Sequence, residues 1–327
     1  MAILLVLAYH FLGLPGGFYG VDLFFVLSGF LITTLLLEER ASTGRVSFGA
    51  FYARRARRLL PALLAVLGVA CFMAAVPPAG SGPGFGRLAI EGVLACLFYA
   101  ANIFRMLGHL LPINLTPMWS LAEEEQFYFL WPALFVLFSR RLSPGRLAAL
   151  LIALAIAVSA WRAGVTLTDG ATGRVYFGPD MRCSGLLLGS ALAAARAAGL
   201  RFPRIPLASL AALAAIGALA VFAHGSSVFA YAAGFPLAEL AGIVLILAAL
   251  GESRVLALPP LVWVGSISYG VYVWMATVAL FDRNGVTPLL LAVGAGWLST
   301  RLIERPFRRR RERRATAVGP VAAEAAA

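Results

Sequence analysis

Lysine is missing from this chain: all 27 basic side chains of its 327 residues are arginine, set against 15 acidic ones for a formal net charge of +12. Charge of either sign is scarce, at 13% of residues, where soluble domains carry about a quarter. Apolar residues make up 61%, and the mean hydropathy is +0.87. That balance excludes an ordinary soluble enzyme, and the apolar segments use up the length that a sizeable soluble domain would need. Cysteine is limited to Cys71, Cys96 and Cys183, without CxxC spacing, which argues against a disulfide framework or a thiolate metal site. Histidine is limited to His10, His109 and His224, too dispersed for a ligand set, so no metal is expected. The arginines sit in short loops between apolar segments and in the tail, so they set membrane orientation and do not predict a nucleic-acid partner. The opening residues lack the basic flank of a signal peptide. No internal repeat is found.

Apolar segments lie near 1–14, 20–37, 59–79, 88–104, 119–138, 147–163, 180–198, 206–223, 231–250, 260–281 and 286–303. Length and the need to satisfy backbone groups in lipid make them helices. The fold class is all-α, a polytopic membrane bundle. Segment 1–14 is short of the roughly 20 residues a span needs and reads as the remnant of a first helix. The arginine-rich loops 38–58 and 139–146, the group Arg196, Arg201 and Arg204, and the tail from Arg305 should all be cytoplasmic. Eleven full crossings would put 38–58 and 139–146 on opposite sides. One segment between them must therefore turn back, and 88–104, with Glu91, Asn102 and Arg105 in or beside it, is the candidate. The expectation is about ten crossings, a membrane domain over 1–304 and a basic cytoplasmic tail over 305–327.

Ionisable groups inside apolar segments are costly and read as functional by default. In the stretch Tyr9–Phe30, a Gly/Pro turn separates His10 from Asp22. If both flanking segments are helices, the two side chains can share one end of a hairpin, where a carboxylate would fix the imidazole tautomer for general-base work. The plain alternative is one polar residue near each helix end at the headgroup level. FYARRARRLLPA, residues 51–62, carries Arg54, Arg55, Arg57 and Arg58, either a positive-inside signal or a phosphate site. TPMWSLAEEEQFYFLWP, residues 116–132, places Glu123, Glu124 and Glu125 between Trp119 and an aromatic run, with Ser120 and Glu124 on one helical face. An interfacial belt explains the aromatics but not three consecutive acids. PDMRCSGLLLGSALA, residues 179–193, offers Asp180 and Arg182 as a surface ion pair. LVWVGSISYGVYVWM, residues 261–275, offers Ser266, Ser268, Tyr269 and Tyr272 as helix-packing hydroxyls.

Taken in order, these motifs resemble the membrane-bound acyltransferase-3 family of bacterial O-acyltransferases. The likeness rests on Tyr9-His10, GVDLFFVLSGF, the FY-plus-arginine motif before Pro61, WSL with Glu124 and Phe127-Tyr128, SISYGVY, and the closing IERP. It implies a ten-helix enzyme of the bacterial plasma membrane that moves an acyl group, often acetyl from acetyl-CoA, to a hydroxyl of a sugar, envelope glycan or macrolide-type product. The bilayer, acyl-CoA and that hydroxyl acceptor are the implied partners. His10 would be the base, Asp22 its orienting carboxylate, and Arg54, Arg55 and Arg58 the holders of the CoA phosphates. Glu124 would join the catalytic group, with Trp119, Ser120, Tyr128, Arg182 and Tyr269 as acceptor contacts. The chain departs from the family pattern where Cys183-Ser184 follows Arg182, at Ser266, and at Met275-Ala276-Thr277. Two rivals use the same residues: a transporter or flippase of an anionic lipid-linked glycan, with His10, Asp22 and Glu124 as a proton relay, and a catalytically degenerate homologue.

Overall fold

The computed structural model describes residues 1–78, 80–170, 172–202, 207–225, 227–251, 255–281 and 284–307. Arg204 and the tail beyond Phe307 lie outside the described residues. Helices and their connecting turns make up the described chain, and no strand occurs among these residues. In chain order the helices are α1 (Ala2–Leu12), α2 (Gly20–Thr43), α3 (Phe48–Ala75), α4 (Phe85–Leu97), α5 (Ala101–Met106), α6 (Met118–Ser139) and α7 (Pro144–Asp169). They continue as α8 (Gly173–Phe177), α9 (Pro179–Arg182), α10 (Ser184–Ala197), α11 (Ala208–Phe222), α12 (Phe235–Leu250), α13 (Pro259–Val278) and α14 (Val286–Ser299). Six described helices are long and apolar enough to cross a membrane: Gly17–Thr43, Phe48–Ala75, Pro144–Asp169, Ala230–Leu250, Pro259–Val278 and Val286–Phe307. α1, α10 and α11 are shorter apolar helices. α6 is long enough at 22 residues, but its three glutamates interrupt the apolar run.

Local chemistry sets the ends. Ser47 and Ser143 cap α3 and α7 by accepting from the backbone N–H groups of Ala50 and Arg146. Gly13 and Gly44 close α1 and α2 in the left-handed conformation, at φ 69° and 72°.

Segment 88–104 does not form one helix. α4 stops at Leu97, the chain turns through Tyr99 at φ 52°, and α5 sets off again from Ala101. Three contacts give the direction of α5. The Tyr99 carbonyl accepts from Gln126 Nε2 at 2.7 Å, Asn102 Nδ2 donates to Glu123 Oε2 at 2.8 Å, and Arg105 lies over Phe177, which itself packs on Trp119. As α5 advances it meets successively earlier residues of α6, so the two run antiparallel. The loops on either side of this turn share one end of the bundle, because Arg40 at the end of α2 donates to Ser139 at the end of α6.

α2 is the central helix. It runs parallel to α6, joined by Ser28 to Glu124 at 2.7 Å and by Trp131 Nε1 to Thr33 at 2.8 Å. Against α10 it comes closer than side chains allow. A Cβ at Gly29 would overlap the Leu186 carbonyl, and one at Gly189 would overlap the Val26 carbonyl. Glycine at both positions lets the two backbones touch.

Candidate active site

α6 opens with a dense run of polar and aromatic side chains. Its first three turns carry Trp119, Ser120, Glu123, Glu124, Glu125 and Tyr128, and each finds a partner on another helix. Glu125 accepts from Arg55 Nη2 at 2.6 Å, while the Arg55 guanidinium sits 3.4 Å from the centre of the Tyr128 ring. Glu124 accepts from Ser28 on α2, and Glu123 is buried against Asn102 on α5. Tyr269 on α13 donates to the Leu59 carbonyl on α3 at 2.7 Å.

These helices enclose a cavity of about 610 Å³. Arg55, Arg58, Glu38, Glu124, Tyr128 and Tyr269 line it, together with apolar residues of α2. Arg58 is exposed to it and forms no ion pair among the described residues. Arg54 is not part of its wall and pairs with Glu39 at 3.0 Å. Two of the three arginines expected to hold a donor are therefore on one cavity.

A second cavity of about 370 Å³ holds His10, whose ring packs edge-on against Tyr9 at 5.1 Å between centroids. Trp119, Tyr176, Phe177, Tyr231 and Arg105 form much of its wall. Val21 and Tyr272 line both cavities, which makes them the partition. Tyr272 is fixed there: its hydroxyl donates to the Pro117 carbonyl at 2.8 Å and shares a short hydrogen bond with Ser120. Along α2, the distance from Val21 at the partition to Glu38 at the far end of the first cavity is roughly 25 Å at about 1.5 Å of rise per residue.

Three sequence expectations are corrected. Asp22 does not face His10. Its carboxylate lies 3.0 Å from Arg182 Nη1, and both side chains are buried, at 1% and 0% exposure. The physical reason is that a buried carboxylate needs a countercharge, and Arg182 at the end of α9 supplies one just before α10 packs against α2. Arg182 in turn is not on either cavity wall. It stacks 3.8 Å from the centre of the Phe235 ring, and its guanidinium stands 5.6 Å and 5.4 Å from Trp119 and Tyr176, directly behind the His10 cavity. Nor do Asp180 and Arg182 pair. Asp180 takes two hydrogen bonds from Arg174, at 2.7 and 2.6 Å, which hold its carboxyl below the usual range.

Sequence reasoning missed Arg162 and Glu239. Arg162 Nη1 donates to Ser184 Oγ at 2.9 Å and to the Met181 carbonyl at 2.7 Å, and Ser184 donates to Glu239 at 2.6 Å. With Asp22 and Arg182 they form a sealed group of two acids and two arginines joining α2, α7, α9 and α12. Each is a lone charge inside an apolar segment, which was the available signal. No group of three or more His, Cys, Asp or Glu among the described residues could hold a metal ion.

An all-helical bundle with membrane-length apolar helices, an arginine-bearing cavity and a histidine-bearing cavity meeting at one tyrosine has the parts of a membrane transferase. The family model described as an acyltransferase domain matches residues 1–301, and the chain belongs to this family, acyltransferase-3. Among curated proteins, the chain is 31% identical to "Peptidoglycan O-acetyltransferase OatA" of Listeria monocytogenes over 342 residues, 94% of this chain and 54% of that one. It is 32% identical to "Putative peptidoglycan O-acetyltransferase YrhL" of Bacillus subtilis over 300 residues, 84% of this chain and 46% of that one. It is 29% identical to "O-acetyltransferase OatA" of Staphylococcus aureus over 352 residues, 94% of this chain and 56% of that one. The chain thus spans about half the length of these relatives. No solved structure matches.

Proposed function

We propose that this chain is a bacterial membrane O-acetyltransferase that takes acetyl from acetyl-CoA in the arginine-lined cavity and delivers it to a glycan hydroxyl in the His10 cavity. The observation that carries this reading is the shared partition: Val21 and Tyr272 border both cavities, so a group held at the partition faces both. The names of the relatives point the acceptor toward a cell-wall glycan.

The arginine-rich ends face the cytoplasm in this reading, by the positive-inside rule, and the chain makes about ten crossings with α4 and α5 as a re-entrant pair. Arg58 and Arg55 hold the phosphates of CoA, whose long arm points along α2 toward Tyr272. His10 accepts the proton of the acceptor hydroxyl as that oxygen attacks the thioester carbonyl. The C–S bond breaks, and the thiolate of CoA leaves and takes up a proton. Trp119 positions the acceptor ring. Glu124 keeps the negative charge of the donor at the arginines by excluding it from the middle of the bundle. Asp22 and Arg182 act through Trp119 and Tyr176 by holding their backing rigid.

The test uses the full chain in lipid nanodiscs, acetyl-CoA and soluble cell-wall glycan fragments, with release of the CoA thiol and acetylation of the glycan as readouts. His10→Gln should bind CoA and lose about 10²- to 10⁴-fold in turnover, because an amide cannot accept the proton. A loss below about 10-fold would remove His10 from the role. Movement of labelled glycan across the bilayer without acetylation would restore the transporter reading.

A further inference from the structure

The His10 cavity contains a cation that the proposed chemistry leaves unused. Arg105 lies near the end of α5, on the re-entrant pair, and lines the cavity wall. Its guanidinium stands 5.0 Å from the centre of the Phe177 ring, and Nη1 donates to the His109 carbonyl at 3.3 Å. Nε is buried with no acceptor, and Arg105 has no ion-pair partner among the described residues. A guanidinium offers five N–H donors, so most of its capacity is open.

The surroundings sharpen this. No aspartate or glutamate lines the cavity. Asp22, the buried acid on the neighbouring turn of α2, is already matched by Arg182. The arginine-lined cavity differs, since Glu38 and Glu124 stand on its wall with the two arginines. Beside Arg105, the wall presents the aromatic faces of Trp119, Tyr176 and Phe177, on which the C–H face of a sugar ring can pack. A mostly apolar, aromatic pocket with a few placed polar groups is oriented by those groups, and here the open polar group is a cation.

We propose that Arg105 is a specificity-determining residue that binds an anionic group, carboxylate or phosphate, on the acceptor sugar, so that the acceptor class is an acidic glycan. This rests on the reading that the acceptor occupies the His10 cavity. The fork of donors suits either anion, and such bonds are stronger than neutral ones. The aromatic faces would hold the ring while Arg105 sets which end of it points at His10.

Calorimetric titration of the nanodisc-held full chain tests this without turnover. The probes are N-acetylmuramic acid, its methyl ester, N-acetylglucosamine and N-acetylglucosamine 1-phosphate. The parent should bind one or both anionic sugars about 10- to 100-fold more tightly than the ester and the neutral sugar, the range of one charged hydrogen-bonded contact. Comparing carboxylate with phosphate tells which anion the site takes. Arg105→Ala should bring the ratio of acidic to neutral affinity close to one, and Arg105→Lys should keep part of it, which separates loss of charge from loss of fold. Equal affinities in the parent, no binding of any sugar, or an unchanged ratio in a folded Arg105→Ala protein would each overturn the proposal. Acceptor-dependent release of CoA thiol by the parent is measured alongside. Its absence would count against the transferase reading, while a charge preference that depends on Arg105 would still establish the anion site.

Discussion

The bundle contains two clusters of acids and arginines, and they differ in what lies beside them. One joins Arg55, Glu125, Glu124 and Ser28 at the edge of a cavity, with Arg58 free at its wall. The other joins Asp22, Arg182, Arg162 and Glu239, each at most 1% exposed. The residue types are the same. In the first, the side chains of Arg55 and Glu125 are 17% and 14% exposed, so their charges face a space a ligand can enter. In the second, every charge is answered from inside the protein. Burial, and not residue type, separates a group that can bind a ligand from one that can only hold helices in register.

The largest effect should come from breaking the sealed cluster. Arg182→Ala leaves Asp22 buried and uncompensated, and removing one partner of a buried pair costs about 3–5 kcal/mol. Thermal unfolding in detergent, followed by circular dichroism, should show it. Asp22→Leu combined with Arg182→Met removes both charges and should recover most of the loss. A single variant that unfolds with the parent would mean that water reaches Asp22, and the contrast between the clusters would fail.

A middle-sized effect should divide the arginines of the motif at the start of α3. Arg58 lines the cavity unpaired, so Arg58→Ala should weaken CoA binding about ten- to a hundredfold, the size of a lost charged hydrogen bond at roughly 1.5–3 kcal/mol. Arg54 is spent on Glu39 away from the cavity, so Arg54→Ala should change it by less than about threefold, as expected of an exposed pair worth under about 1 kcal/mol. Titration with CoA measures both, and equal losses would mean that all three arginines share the donor.

The smallest effect concerns a pair that neither cluster contains. Arg174 and Asp180 are 41% and 47% exposed. The Arg174 hydrogen bonds depress the folded-state pKa of Asp180, so the pair's contribution is present above the unfolded value of about 3.9 and is lost as pH falls through the folded one. Exposure and screening keep it below about 1 kcal/mol. Arg174→Gln should therefore melt slightly below the parent at pH 7 and level with it near pH 2. A gap that persists in acid would assign the effect to packing.

Much of this was legible in the sequence. Hydropathy located the helices, and the spacing of arginine-rich loops required a reversal between 38–58 and 139–146, which the chain makes at Tyr99. Glu123 to Glu125 marked the start of α6 as the polar hub, because lipid gives no reason for three acids there. What was not legible depends on which helices touch. The partner of Asp22 was sought twelve residues away in sequence and lies at the end of α9, 160 residues away, next to where a pair of glycines lets the backbones of α2 and α10 meet. Arg162 and Glu239 each look like an isolated charge until Ser184 joins them. Arg105 drew notice only as a mark of an imperfect helix, since its place beside His10 follows from the fold-back of α5.

The hydrogen bonds of Tyr272 to Pro117 and Ser120 have a consequence for the cell as well as for the reaction. Under the proposed orientation the two cavities open toward opposite faces of an energised bilayer. Each elementary charge crossing such a membrane releases about 2.3 kcal/mol per 100 mV, so a continuous file of water between the cavities would act as a leak. The tyrosine that brings donor and acceptor within one partition is then also the cork. A Tyr272 variant should be judged by the collapse of membrane potential in vesicles, and not only by lost acetyl transfer.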